Sequence, residues 1–300
     1  MNKLRKSIYE LPASYEWMSP KALWKLLMKV YNDWSDDKAS RLAAALAFYT
    51  ILSLAPILVI VIAIAGFAFG APVVREEIAN AIQNLVGRDG ADAIKMVMEN
   101  AAMPGHNTIA ETAGLLVLIF GAAEVFIQLK DSLNDVWDVK PRLDQGILGT
   151  IREYFFSLSM VVGIGFLLLV SLVVSAALSA FGVFIGAHLP HNDILLRIIN
   201  FNISFAVTTF IFALTYKVVP DARIAWSDVW TGAGVTALLF IVGKFLIGLY
   251  IFYSAEGLAY GAAGSLVVLM IWVYYSAQIF LMGAEFTKVY AEKFGSRIKP

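Results

Sequence analysis

The sequence predicts an all-α, polytopic membrane protein with six transmembrane helices, a small extracytoplasmic helical cap and an N-terminal amphipathic helix. Three observations point there. Of the 300 residues, 59% are hydrophobic and only 15% charged, where a soluble domain carries about 25% charge. Several apolar runs reach about 20 residues, the length a helix needs to cross a hydrocarbon core. Basic residues also crowd into alternate loops, which is how bacterial membrane proteins set their sidedness.

Composition excludes some classes of function. Lys+Arg and Asp+Glu both number 23, so the whole chain carries no electrostatic footprint for nucleic acid. Cysteine is absent, which excludes disulfides and thiolate metal sites. The residues before the first apolar run are mostly polar, and that run is too long for the core of a secretory signal. The first span is therefore expected to insert the chain and stay attached.

Residues 1–41 read as a cytoplasmic N-terminal segment. Within it, Pro20–Trp34 is periodic: Leu23, Leu26, Leu27, Val30, Tyr31 and Trp34 share one helical face, and Lys21, Lys25 and Lys29 the opposite one. A basic amphipathic helix of this kind lies in the headgroup layer; packing beneath the helix bundle is the competing reading.

The transmembrane domain is expected over 42–290. Its first span, Leu42–Phe69, contains Pro56, which should kink the helix or break its ladder. Such a break lines a cavity in some transporters and is plain structure in many other helices. Gly66 and Gly70 form a weak small-residue packing pair. An insertion over 71–111 holds two amphipathic helices, about Val73–Val86 and Ala91–Met103, joined at Gly87–Gly90. It is expected to cap the outer mouth, with a passive connector as the alternative. The second span, about Thr112–Asp138, carries Glu124 near its midpoint and Lys130 and Asp131 deeper, with Trp137 as an interfacial belt residue. The third runs over about Tyr154–Ile185 and the fourth over about Ile194–Val218. His188 and His191 lie between these spans, but only Asp193 is nearby, too thin a donor set for a metal.

The last hairpin, Asp228 to Glu285, has two apolar arms, and each carries a charge: Lys244 in the first and Glu285 near the end of the second. A membrane helix keeps such residues where they face a partner or a watery cavity. Residues 291–300 form a basic cytoplasmic tail. With the N-terminus inside, most of the 23 Lys and Arg fall on the cytoplasmic side. Only Arg75, Arg88, Lys95 and Arg197 fall outside. Both termini are thus expected in the cytoplasm.

Several separated motifs resemble one family. The runs Ala43–Leu58 (AAALAFYTILSLAPIL), Leu129–Val139 (LKDSLNDVWDV), Val219–Tyr250 and Tyr260–Phe286 are similar to those of the YihY/BrkB proteins of bacterial inner membranes. The resemblance covers about Ala39–Ala291. It implies a six-span polytopic protein, a link to virulence through serum resistance, and an old label, ribonuclease BN, without an agreed activity. The nuclease label fits the residues poorly. RNA cleavage needs exposed acid/base or metal-binding carboxylates and a basic groove. The cytoplasmic acids Asp131, Asp135, Asp138, Asp144 and Glu153 have no metal-ligand spacing, and Glu76 and Glu77 fall on the wrong side.

No nucleotide-binding loop, cofactor motif or metal site is legible, and no enzyme activity is expected. Two function classes remain. A permease or flippase-like transporter would move an ion or amphiphile along a pathway marked by Glu124, Lys244, Glu285, Lys130, Asp131 and Gln278, with Pro56 as the helix break. An envelope scaffold would instead recruit partners through its cap or its basic face. Membrane lipids are expected partners, and a homo-oligomer is open. The buried charges favour transport, since each costs roughly 2.5–3.5 kcal/mol to insert; a structural ion pair is their other explanation. By depth, Lys244 should approach Glu124, because the two lie within about 5 Å of the same level at 1.5 Å per residue.

Overall fold

A computed structural model describes residues 20–101, 108–139, 149, 154–156, 159, 193–222, 224–254 and 262–295. Among them are eight helices: α1 (Pro20–Asp36), α2 (Ala39–Phe69), α3 (Ala71–Val86), α4 (Arg88–Ala101), α5 (Thr108–Val136), α6 (Asp193–Val218), α7 (Trp226–Ser254) and α8 (Ala262–Lys293). The all-α expectation holds for these residues. The six spans do not.

Four helices among the described residues are long and apolar enough to cross a membrane, not six: Ala39–Phe67, Phe201–Val218, Trp226–Tyr250 and Leu266–Lys293. The expected second span is helical, as α5, but from Phe120 to its end it carries Glu124, Lys130, Asp131 and Asp135. Charge at that density is costly in lipid, and this stretch instead buries Ala122, Ala123, Phe126, Leu133 and Val136 against neighbouring helices. The expected third span lies outside the described residues except for 154–156 and 159, as do His188 and His191.

α1 packs beneath the bundle along one edge of its apolar face. Its apolar surface is split: Leu26 and Val30 are buried against Val289 of α8, flanked by Met282, Phe286 and Phe294. Leu23, Trp24, Leu27, Met28 and Tyr31 stay exposed. Asp37 and Lys38 then turn the chain into α2, with Lys38 in the left-handed region at φ 53°.

α2 is helical for 31 residues through Pro56, so the proline, which has no N–H to donate to the ladder, does not end the helix. The proline marks a close crossing with α5. A Cβ on Gly121 would lie 3.1 Å from the Pro56 ring, and the Ser53 hydroxyl donates across the crossing to the Gly121 carbonyl. A small residue favours so close an approach of the two helices, and an alanine would press the ring by a few tenths of an ångström.

α2 and α8 each pack into two apolar cores, one toward each end. At one end the α3–α4 hairpin lies on both of them, through Val74, Ala79, Val86, Ile94 and Met98 against Leu58, Ile62, Ala65, Val268 and Leu269. At the other, Ala39, Ala43, Leu133, Val136, Tyr216, Val229, Ala233, Leu281 and Ala284 interlock. Trp137 belongs to this second core, 4% exposed and edge-on to Tyr216 at 5.8 Å. It is not the belt residue its position suggested. α7 meets α8 closely at Gly232, where a Cβ would collide with the Thr287 side chain, whereas Gly234 of the same GAG run has open space beside it.

Candidate functional site

The second core ends in a polar layer where α1, α5, α6, α7 and α8 finish or begin. Its centre is Glu285, on α8, which is fully buried at 0% exposure. Both of its carboxyl oxygens lack a hydrogen-bond partner. A helix packed so tightly that its acid cannot reach water is unusual, because a buried polar group without a partner costs about 1–3 kcal/mol. One turn on, Lys288 is also buried. Its ammonium bridges Asp138 at 2.7 Å and Asp37 at 3.6 Å. Asp37 comes from the α1–α2 turn and Asp138 from the residues just after α5, so Lys288 ties three separate segments together.

The surrounding charges are mostly acidic. On α1, Lys29 pairs with Asp33 at 2.7 Å and with Glu292 of α8 at 3.2 Å. Burial pulls the Lys29 ammonium down, but its bonds to Asp33 and Glu292 outweigh that and hold it above the usual lysine range. Burial, and then the neighbouring Asp37 carboxylate, push Asp135 up from the ordinary aspartate range. To one side, Lys130 pairs with Asp221 at 3.2 Å. Asn134 donates to the Asp221 carboxylate at 3.2 Å and accepts from its backbone N–H at 2.9 Å. The Lys217 ammonium is held by the Ile224 carbonyl.

The residues singled out from sequence are not gathered into one pathway. Glu285 sits at the centre of the polar layer, and Lys130 at its margin. Asp131 is exposed on α5. Glu124 is half-buried and accepts a hydrogen bond from the Tyr154 hydroxyl at 3.0 Å. Gln278 donates to Tyr274 at 2.6 Å, and its own carbonyl oxygen is buried without a partner. Lys244 is exposed on α7 beside Val242, Phe245 and Leu246. Among the described residues no ion pair joins it to Glu124, so the depth argument does not hold: equal height on two helices says nothing of the direction each side chain takes. A cavity of about 260 Å³ lies near the other end, lined by Leu58, Ile62, Gly66, Ala71, Met98 and a single charge, Arg75. None of the candidate residues lines it.

Lys288, Asp37 and Asp138 were missed. Lys288 was legible, since it follows Glu285 at i+3 on a helix; its place among tail-side basic residues hid it. The two aspartates arrive from distant segments, and only the fold brings them in.

Comparison with known proteins supplies the identity. The family described as Virulence factor BrkB matches residues 30–300. The chain belongs to the YihY/BrkB family. Its relatives are named UPF0761 membrane proteins. That of Alteromonas mediterranea is 28% identical over 266 residues, covering 87% of this chain and 86% of its own length. That of Pseudoalteromonas translucida is 27% identical over 262 residues, covering 87% and 84%, and that of Haemophilus influenzae 25% identical over 258 residues, covering 85% and 91%. No solved structure matches. Family membership together with the long apolar helices makes this YihY/BrkB member a multi-pass protein of the bacterial inner membrane.

Proposed function

We propose that this protein moves an ion or a small amphiphile across the inner membrane, in a transport rather than a catalytic role, with Glu285 as its acting charge. One observation carries the reading. Glu285 is an acid at 0% exposure, with neither oxygen partnered, inside a helix apolar enough to span a membrane. Ionisable residues kept in such places at a cost are those that bind or relay a charge. A scaffold has no use for an unsatisfied acid, whereas a transporter needs a group that changes partners. Lys244 has no such part in this reading, because its surroundings are exposed apolar side chains.

The same polar layer supports an orientation. Lys29 of α1 reaches Glu292 of α8, so both ends of the described chain meet on one face. Lys21, Lys25 and Lys293 lie there too, and basic residues favour the cytoplasmic side. The α3–α4 hairpin, at the far end of α2, is then periplasmic.

Flux in proteoliposomes over a panel of ions and anionic lipids tests the reading. Glu285→Gln is expected to cut flux at least about tenfold, equivalent to 1.4 kcal/mol on the barrier, while Lys244→Met leaves it unchanged. Wild-type flux from a folded Glu285→Gln protein, or no flux for any member of the panel, would overturn it.

A further inference from the structure

We propose that Glu285 and Asp37 share a single proton, forming a carboxyl–carboxylate hydrogen bond that holds the α1–α2 turn against α8. The proposal rests on the reading of Glu285 as the acting charge and names the ligand of that site. Three observations lead to it. Both oxygens of Glu285 and the Oδ2 atom of Asp37 are shielded from solvent, and none has a hydrogen-bond donor. The two carboxyl groups nevertheless lie within side-chain hydrogen-bonding reach of each other. The nearest cation does not resolve the shortage: Lys288 bonds Asp138 at 2.7 Å and stays 3.6 Å from Asp37.

Two ionised carboxylates are acceptors only and cannot bond each other. Placed side by side away from water, they also repel, as in sites where one of two acids keeps its proton. A single proton removes both difficulties. Held on one carboxyl, it supplies the missing O–H donor, the other carboxylate accepts it, and two orphaned groups are satisfied at once. The wider charge field favours uptake. Asp33 and Asp37 face Glu285 from α1 and its turn, Asp135 and Asp138 come from the end of α5, and Glu292 lies further along α8. Against them stand Lys288 on the same helix and Lys29, already paired with Asp33 and Glu292. Among the described residues, Lys38 and Arg41 at the start of α2 pair with neither carboxyl, and Asp228 of α7 lies further off beside Gly295.

The sign of the pH dependence follows. The native state binds a proton that the unfolded chain has released at neutral pH, so stability falls as pH rises from the ordinary carboxyl range to the pH at which the native proton leaves, and levels off above it. With one proton involved, the unfolding equilibrium constant should rise by about tenfold per pH unit across that range. Gln at position 285 or Asn at position 37 places a permanent N–H donor in the gap.

The test is thermal and denaturant unfolding of the full chain in lipid nanodiscs across pH, with infrared difference spectra of the same samples. The wild type should lose stability as pH rises above the ordinary carboxyl range, levelling off where a protonated carboxyl C=O band disappears. Glu285→Gln and Asp37→Asn should each abolish that band and flatten the pH slope while remaining folded. Two results would overturn the proposal: a wild type with no such band, or a Glu285→Gln protein that is less stable than wild type at neutral pH and keeps the wild-type slope. The second is what a simple Glu285–Lys288 ion pair predicts. If Glu285→Gln does not fold, Asp37→Asn and the wild-type spectra decide alone. These measurements do not involve flux, so a failed transport assay with an intact band would sink the transport reading and leave the shared proton standing.

Discussion

Lys288 serves two carboxylates at unequal distance, and the inequality has consequences at the scale of single residues. Asp138, the nearer partner, has a side chain 74% exposed, whereas Asp37 is 25% exposed. Removing the lysine therefore leaves one acid that water can solvate and one that it reaches poorly. Lys288→Met is expected to cost about 1–3 kcal/mol, the range for stranding a buried polar partner, measured by denaturant unfolding in detergent. Asp138→Asn should cost much less. Asp135 behaves in the opposite sense, because its carboxyl is held above the ordinary aspartate range by burial and by Asp37. A raised acid contributes a penalty that is absent at low pH, grows as pH passes its unfolded value and is complete above its folded value. Asp135→Asn should then raise the melting temperature slightly at neutral pH and leave it unchanged in acid.

Among the elements, α1 is divided between a buried edge and an exposed face, and its lysines are divided with it. Lys29 is engaged by Asp33 and Glu292; Lys21 and Lys25 are exposed. Lys21→Glu and Lys25→Glu are expected to weaken attachment to anionic lipid by about 1 kcal/mol each, while Lys29→Glu should loosen α1 from α8. Because the chain has no cysteine, a single one placed at Leu27 can report this: labelling should be slow in anionic bilayers and speed up in the two lipid-facing variants. The α7–α8 contact offers a second check. Gly232→Ala should cost about 1–3 kcal/mol through overpacking against Thr287, and Thr287→Ala should recover part of it in a double-mutant cycle. The elements were legible to different degrees for physical reasons. Helix positions followed from apolar periodicity, and α3, α4 and the final hairpin fell close to expectation. The number of spans did not, because an apolar run with scattered charge reads alike whether its partner is lipid or another helix, and α5 buries its alanines against neighbours. Pro56 was visible as a residue; Gly121, which lies against its ring, is meaningful only once α2 and α5 cross.

Across the whole molecule, the two cores lie at opposite ends of α2 and α8, each capped differently: the α3–α4 hairpin at one end, α1 and the polar layer at the other. A cysteine at Glu77 and one at Lys293 should therefore be labelled by an impermeant reagent from opposite sides of the membrane, the first in right-side-out vesicles and the second in inside-out vesicles. Labelling of both from the same side would contradict the arrangement. The candidate site was half legible at this scale. Glu285 stood out because an acid in an apolar helix is conspicuous, and Lys244 stood out for the same reason; sequence could not say which one faced the protein. The role of α8 in both cores also bears on how the chain is made. It is translated after every helix it touches, yet Val268 and Leu269 complete one core, and Leu281 and Ala284 the other. Until α8 leaves the ribosome, the earlier helices wait in the bilayer with both seams open and Asp37 without its neighbour. Assembly is thus postponed until α8 has emerged, and chains truncated before Ala262 should be bound by insertion factors or cleared by membrane proteases, while released full-length chains should resist them.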